Sequence, residues 1–128
     1  MDISAVFDGS PSYWHINPTG ITTITIELTL HKVFTWTNTI YVDFGSTSWR
    51  AKSIKVEAIN TNYANDVWTQ KANTTSNGSG HYVVNGAHTP VGASNDGGGF
   101  NKVRFTFSSW GNSTNFRIAA LGIYNYGS

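Results

Sequence analysis

The chain contains no cysteine. Disulfides, thiolate nucleophiles and cysteine-ligated zinc are therefore excluded, and the redox character of its compartment leaves no mark on the sequence. Charge is scarce as well: eight Lys and Arg stand against seven Asp and Glu in 128 residues, a net charge of +1. Nucleic acid and anionic membrane surfaces are recognised through clustered basic residues, which this chain lacks, so neither a nucleic-acid partner nor membrane insertion is expected. No apolar run approaches the ~18 residues of a membrane-spanning helix, and the first residues lack the charged-then-apolar pattern of a secretory signal. A sustained helical period is missing too; only residues 2–7 (DISAVF) would allow a short helical turn. No internal repeat is evident, which disfavours a propeller or solenoid.

Aromatic residues, by contrast, reach 14% and outnumber charged ones at 12%, and Thr, Ser, Asn and Gly supply much of the rest. That balance suits a sheet protein with uncharged polar loops. The dominant period is two. In TTITIELTL, Ile24, Ile26, Leu28 and Leu30 share one face while Thr23, Thr25, Glu27 and Thr29 share the other. The same alternation places Ile40, Val42 and Phe44, then Ile54, Val56 and Ala58, then Val103, Phe105 and Phe107 inward. Weaker strands are expected at 66–72 and 81–84, and a last one over 116–126. In that last segment the apolar phase passes through Phe116 and Ile118 but resumes at Leu121 and Ile123, so one residue near Ala119-Ala120 is extra and predicts a bulge or bend. The expectation is a single all-β domain over 1–128, an antiparallel β-sandwich of about eight strands with one wet face per strand. Residues 60–65, 73–80, 85–99 and 108–115 are loops by composition, and the 15-residue stretch 85–99 is long enough to be functional or packed across a face.

Catalysis finds little support. Glycoside hydrolysis needs two facing carboxylates. Glu27, Asp43 and Glu57 fall on solvent faces of strands, where charge is expected anyway, and Asp8, Asp66 and Asp96 begin or occupy turns. No strained Gly-x-Ser-x-Gly elbow is present. The four histidines, His15, His31, His81 and His88, lack a zinc-binding spacing. The glycine-rich NDGGG at 95–99 precedes no helix that would receive a phosphate. What remains is aromatic residues near loops among Asn side chains that both donate and accept hydrogen bonds, a mixture that suits sugars, since a pyranose offers an apolar face and hydroxyls and needs no formal charge. With aromatics this abundant, tryptophans read first as core. Trp36, Trp49 and Trp68 lie in or beside strand patterns and are poor ligand candidates, whereas Trp110, between Ser109 and Gly111, is a better one. The candidate ligand contacts are His15, Tyr63, Asn65, Trp110 and Asn112.

Taken in order, AVFDGSPSYWHI, TIYVDFGSTSWRAKSIKVEA and KVRFTFSSW with TNFRIAALGIYNY resemble the discoidin family, the galactose-binding-like jelly rolls that include factor V/VIII C-type domains and many carbohydrate-binding modules. The matching features are Asp8-Gly9, Trp14, Asp43-Phe44-Gly45 and the segment from Phe116, and they span nearly the whole chain. The resemblance implies a jelly roll with Trp14 packed inside, leaving Tyr13 and His15 beside it as the rings able to touch a ligand. Family members that carry a structural calcium pair the early Asp-Gly turn with a Glu of the last strand. Here the corresponding positions are Ala120 and Gly122, so a calcium at Asp8 would have only carbonyls and one acid, and no cofactor is expected. The C-terminal FRIAALGIYNYGS is also similar to the endings of bacteriophage tail fibres and tailspikes. That similarity implies a homotrimeric module of a virion tail, or an extracellular one, attached to host-surface glycan. The expected function is thus non-catalytic binding of cell-surface glycan. The alternative is a structural trimerisation cap whose aromatic loops pack between subunits.

Overall fold

The computed structural model describes residues 14–85 and 98–123. The 2–7 turn, Asp8, Tyr13, His88 and Asp96 lie outside the described residues. The structure is an antiparallel β-sandwich, as the alternation predicted. Its strands are β1 (Trp14–Ile16), β2 (Thr23–Phe34), β3 (Ile40–Asp43), β4 (Ala51–Ile59), β5 (Thr69–Thr74), β6 (His81–Val84), β7 (Phe100–Trp110), β8 (Phe116–Ile118) and β9 (Ala120–Ile123). One layer is a four-stranded sheet in the order β2-β7-β4-β5, and the other is made of a three-stranded sheet β6-β3-β9 and the pair β1-β8. Among the described residues the non-strand regular structure is one 3-10 turn, Thr47–Trp49, opened by Ser46, whose hydroxyl accepts from the Ser48 N–H at 3.2 Å. No helix among them is long and apolar enough to cross a membrane.

The inward-facing set is the one that period two selects. Ile24 and Ile26 from β2, Ile40 and Val42 from β3, Ile54, Val56 and Ala58 from β4, and Val103, Phe105 and Phe107 from β7 are all buried in one core. Trp14 joins them at 6% exposure and Trp36 at 2%, so both rings are core rather than ligand platforms. Phe116, fully buried, touches four rings drawn from both layers: Trp14 at 6.1 Å, Phe44 at 5.8 Å, Phe107 at 5.5 Å and Trp110 at 4.8 Å between centroids.

β1 was not expected as a strand, and among the boundaries that differ from the sequence expectation three have a clear local reason. β2 runs on to Phe34 through a register irregularity after Thr29, because Phe34 pairs with Phe100 and drops back into the core. β5 starts at Thr69 rather than 66, since the Asp66 carboxylate is taken by the Asn60 N–H at 2.7 Å and Trp68 lies under the Arg104 guanidinium at 4.2 Å. β7 includes Ser108, Ser109 and Trp110, which composition had placed in a loop. The last segment breaks where the apolar phase slipped. β8 pairs with β1, β9 pairs with β3, and between them the Ala119 N–H donates to the Asp43 carbonyl at 2.8 Å. One bent strand thus serves two parts of the layer.

Replacing Phe116 by Ala is expected to lower stability by ~3–5 kcal/mol, because the cavity opens where four rings meet and none can follow the lost one. A fall in the urea midpoint with an unchanged slope would record it, and a midpoint within error of the parent would refute it.

Candidate functional site

The two outer faces of the sandwich carry different chemistry. On the four-stranded sheet, outward residues of β2, β4 and β7 are charged and paired: Arg104 Nε donates to Glu57 at 3.0 Å, Lys55 lies 3.9 Å from the same carboxylate, and Lys102 lies 3.7 Å from Glu27. Register sets Glu27 and Glu57 on either side of Arg104, about 10 Å apart by strand spacing. Each carboxylate is nevertheless engaged by a cation, Glu27 on the open face and Glu57 largely covered by its partners, so the pair does not form the cleft of an acid and a base. Among the described residues no three of His, Asp and Glu gather as a metal ion requires.

The outer face of β6-β3-β9 is nearly uncharged. Pairing arranges it in two rows, Val83-Tyr41-Gly122 and His81-Asp43-Ala120. Tyr41, Val42, Asp43, His81 and Val83 line a groove of about 280 Å³. The ring of Tyr41 lies over Gly122: a Cβ there would be in ordinary van der Waals contact with it, 3.6 Å from Tyr41 Cε1 and 3.7 Å from its hydroxyl. Val83 is 42% exposed, an apolar side chain on an otherwise wet surface. The polar groups are held in place from behind. Asp43 Oδ1 accepts the Gly45 N–H at 2.8 Å, and His81 Nδ1 is 3.2 Å from the Ser79 hydroxyl. Tyr82 points to the inner side of β6, where partial burial raises its phenol above the usual 10.0. A ring, a carboxylate and an imidazole around a shallow groove of mixed polar and apolar lining is a ligand-site chemistry, and its volume, just below the roughly 300–1,000 Å³ seen for such sites, suits a small polar ligand. Composition did not disclose this face. Asp43 read as ordinary solvent-side charge and His81 as a strand-edge histidine, and only the pairing of three strands distant in sequence assembles them.

The five residues expected to touch ligand do not meet in one place. Tyr63 and Asn65 lie in the 60–68 loop at the end of the sandwich where β4 stops and β7 begins. Tyr63 is 48% exposed with its ring packed on Gly98, and Asn65 is exposed. His15, Trp110 and Asn112 lie toward the opposite end, the length of β4 away, roughly 25–30 Å. There His15 is exposed opposite Arg117, whose guanidinium covers Trp49 at 4.1 Å and whose Nε donates to Asn115 at 3.1 Å. Asn112 Oδ1 accepts from the N–H and hydroxyl of Thr114, both at 3.0 Å. Trp110 is turned by Ser109, whose φ of 58° resets the alternation, so its ring packs on Phe116 and its N–H donates to the Ile21 carbonyl at 2.9 Å. At that end many polar atoms serve turns of the chain itself.

At the Tyr63 end, Lys71 bridges the rim of the core. Its ammonium donates to the Trp36 carbonyl at 2.8 Å and sits 5.8 Å from the Trp36 ring, and burial lowers its pKa below 10.5. The unfolded chain then binds this proton more tightly than the folded one, so stability rises with pH between the lowered value and 10.5. Lys71→Met, which keeps the stem, is expected to flatten that rise in denaturation midpoints, and an unaltered slope would count against it. Trp110→Phe is expected to cost about 0.5–1.5 kcal/mol through the unmatched Ile21 carbonyl, measured by thermal unfolding.

No protein-family model and no curated protein matches the chain. Among solved structures it is similar to chitosan-binding module 1 derived from a chitosanase/glucanase of Paenibacillus sp. IK-5, with a TM-score of 0.69 and 19% identity over 97% of this chain and 85% of that one. It is also similar to part of a Ruminococcus gnavus GH29 fucosidase solved in complex with fucose, with a TM-score of 0.63 and 16% identity over 94% of this chain and 21% of that one. At these identities the likeness is one of fold, and the all-β sandwich is common to all three.

Proposed function

We propose that the chain is a non-catalytic glycan-binding module of the galactose-binding-like kind, and that its ligand lies in the groove across β6-β3-β9. The observation that carries this is the convergence of Tyr41, laid over Gly122, with Asp43 and His81 on one sheet face that bears no other acid and no Lys or Arg. A pyranose places its CH face on the aromatic ring and its hydroxyls against the carboxylate and imidazole. The fold likeness to a chitosan-binding module and to part of a fucosidase supports a carbohydrate ligand. Attachment to host-surface glycan within a homotrimeric phage tail fibre or tailspike is a finer proposal, supported by the resemblance of the C-terminal segment.

Titration of the parent chain against a panel of soluble oligosaccharides is expected to find weak but saturable binding. Tyr41→Ala should weaken it about tenfold, ~1.4 kcal/mol, while Tyr41→Phe, which keeps the ring, should stay within about threefold. Tyr63→Ala or Asn112→Ala abolishing binding, with Tyr41→Ala neutral, would move the site from the sheet face to the end loops.

A further inference from the structure

Resting on that glycan reading, we infer that the groove selects its sugar by charge: Asp43 makes it a site for neutral and, above all, cationic amino sugars, and closes it to acidic ones. Among the outward residues of β3, β6 and β9, namely Tyr41, Asp43, His81, Val83, Ala120 and Gly122, Asp43 is the one acid and no Lys or Arg is present. An ionised carboxylate only accepts hydrogen bonds, so whatever meets it must donate, as a hydroxyl or an ammonium does. A uronate or a sulfate brings acceptors and like charge.

The carboxylate is also fixed. Asp43 Oδ1 holds the Gly45 N–H at 2.8 Å, while the side chain as a whole stays exposed. Among the described residues Asp43 takes part in no salt bridge, and Arg50, beside the turn that follows β3, donates to the Asn77 and Thr47 carbonyls at 2.8 and 2.9 Å. Arg117, in the same layer, has its guanidinium on Trp49 and its Nε on Asn115, and Lys102 and Arg104 stand on the opposite sheet facing Glu27 and Glu57. His81, the register partner of Asp43, and the Tyr41 phenol are the other titratable side chains on this face, His81 with its Nδ1 toward the Ser79 hydroxyl.

The test uses three oligomers of one hexose backbone and length, neutral, amino and uronic, titrated into the parent chain at a pH where the amine is protonated and Asp43 ionised. The amino form is expected to bind roughly two- to fivefold more tightly than the neutral one, the yield of one part-exposed ion pair, with the acidic form weakest and the preference shrinking as salt rises. Asp43→Asn keeps an acceptor for the Gly45 N–H and should bind all three alike. Glu27→Gln, an equal change of net charge on the other sheet, should leave the order intact. The inference is overturned if Asp43→Asn preserves the parent's order, or if Glu27→Gln erases it as fully, which would make the selection a property of overall charge. Failure of the parent to bind any oligomer overturns the glycan reading itself, and binding indifferent to Tyr41→Ala takes the ligand off this groove and overturns the inference with it.

Discussion

The packing of Phe116 against four other rings is the contact on which the rest of the molecule depends. Trp14, Phe44, Phe107 and Trp110 come from β1, the end of β3, and β7, so one side chain ties the four-stranded sheet to both parts of the opposite layer. With no cysteine in the chain and no long helix among the described residues to clamp the layers, the aromatic cluster fastens them, and large rings supply the most buried area per residue. Because Phe116 is the first residue of β8, its anchoring also fixes where the last strand begins, and from there where it bends.

That bend positions the groove. Pairing of β8 with β1 and of β9 with β3 requires a change of partner at Ala119, and the Ala119 N–H meets the Asp43 carbonyl. The backbone of Asp43 is thus part of the corner while its side chain faces outward beside His81. Gly122 follows three residues later, opposite Tyr41, and the tyrosine ring lies over it on the sheet face. The opposite face of the molecule shows the contrast: there Glu27 and Glu57 are each paired with Lys or Arg.

The alternation of apolar residues made the class of fold, the inward-facing residues of β2, β3, β4 and β7, and the break near Ala119 legible, because period two is a local property that survives in the sequence. Trp36 read as core because it lies beside a strand pattern, and Trp14 because the discoidin resemblance implies it is packed inside. Less legible were the ends of strands. Ser109 carries a left-handed backbone in a non-glycine residue, and Asp66 is drawn off by Asn60, and neither is visible from propensity. The five loop residues expected to hold ligand were each plausible by type, yet they are divided between opposite ends of the sandwich. Composition reports which residues exist and not which end of a strand they reach.

The sequence by itself determined that this is an all-β chain with a core of alternating apolar residues, without cysteine chemistry or a basic surface, since these depend on residue type and short-range spacing alone. The tertiary structure decided which of two sheet faces is nearly uncharged, and that Tyr41, Asp43, His81 and Gly122 share it. Those residues come from three strands separated by up to about eighty positions, and strand order and register, which arise only when the two layers close on Phe116, bring them side by side.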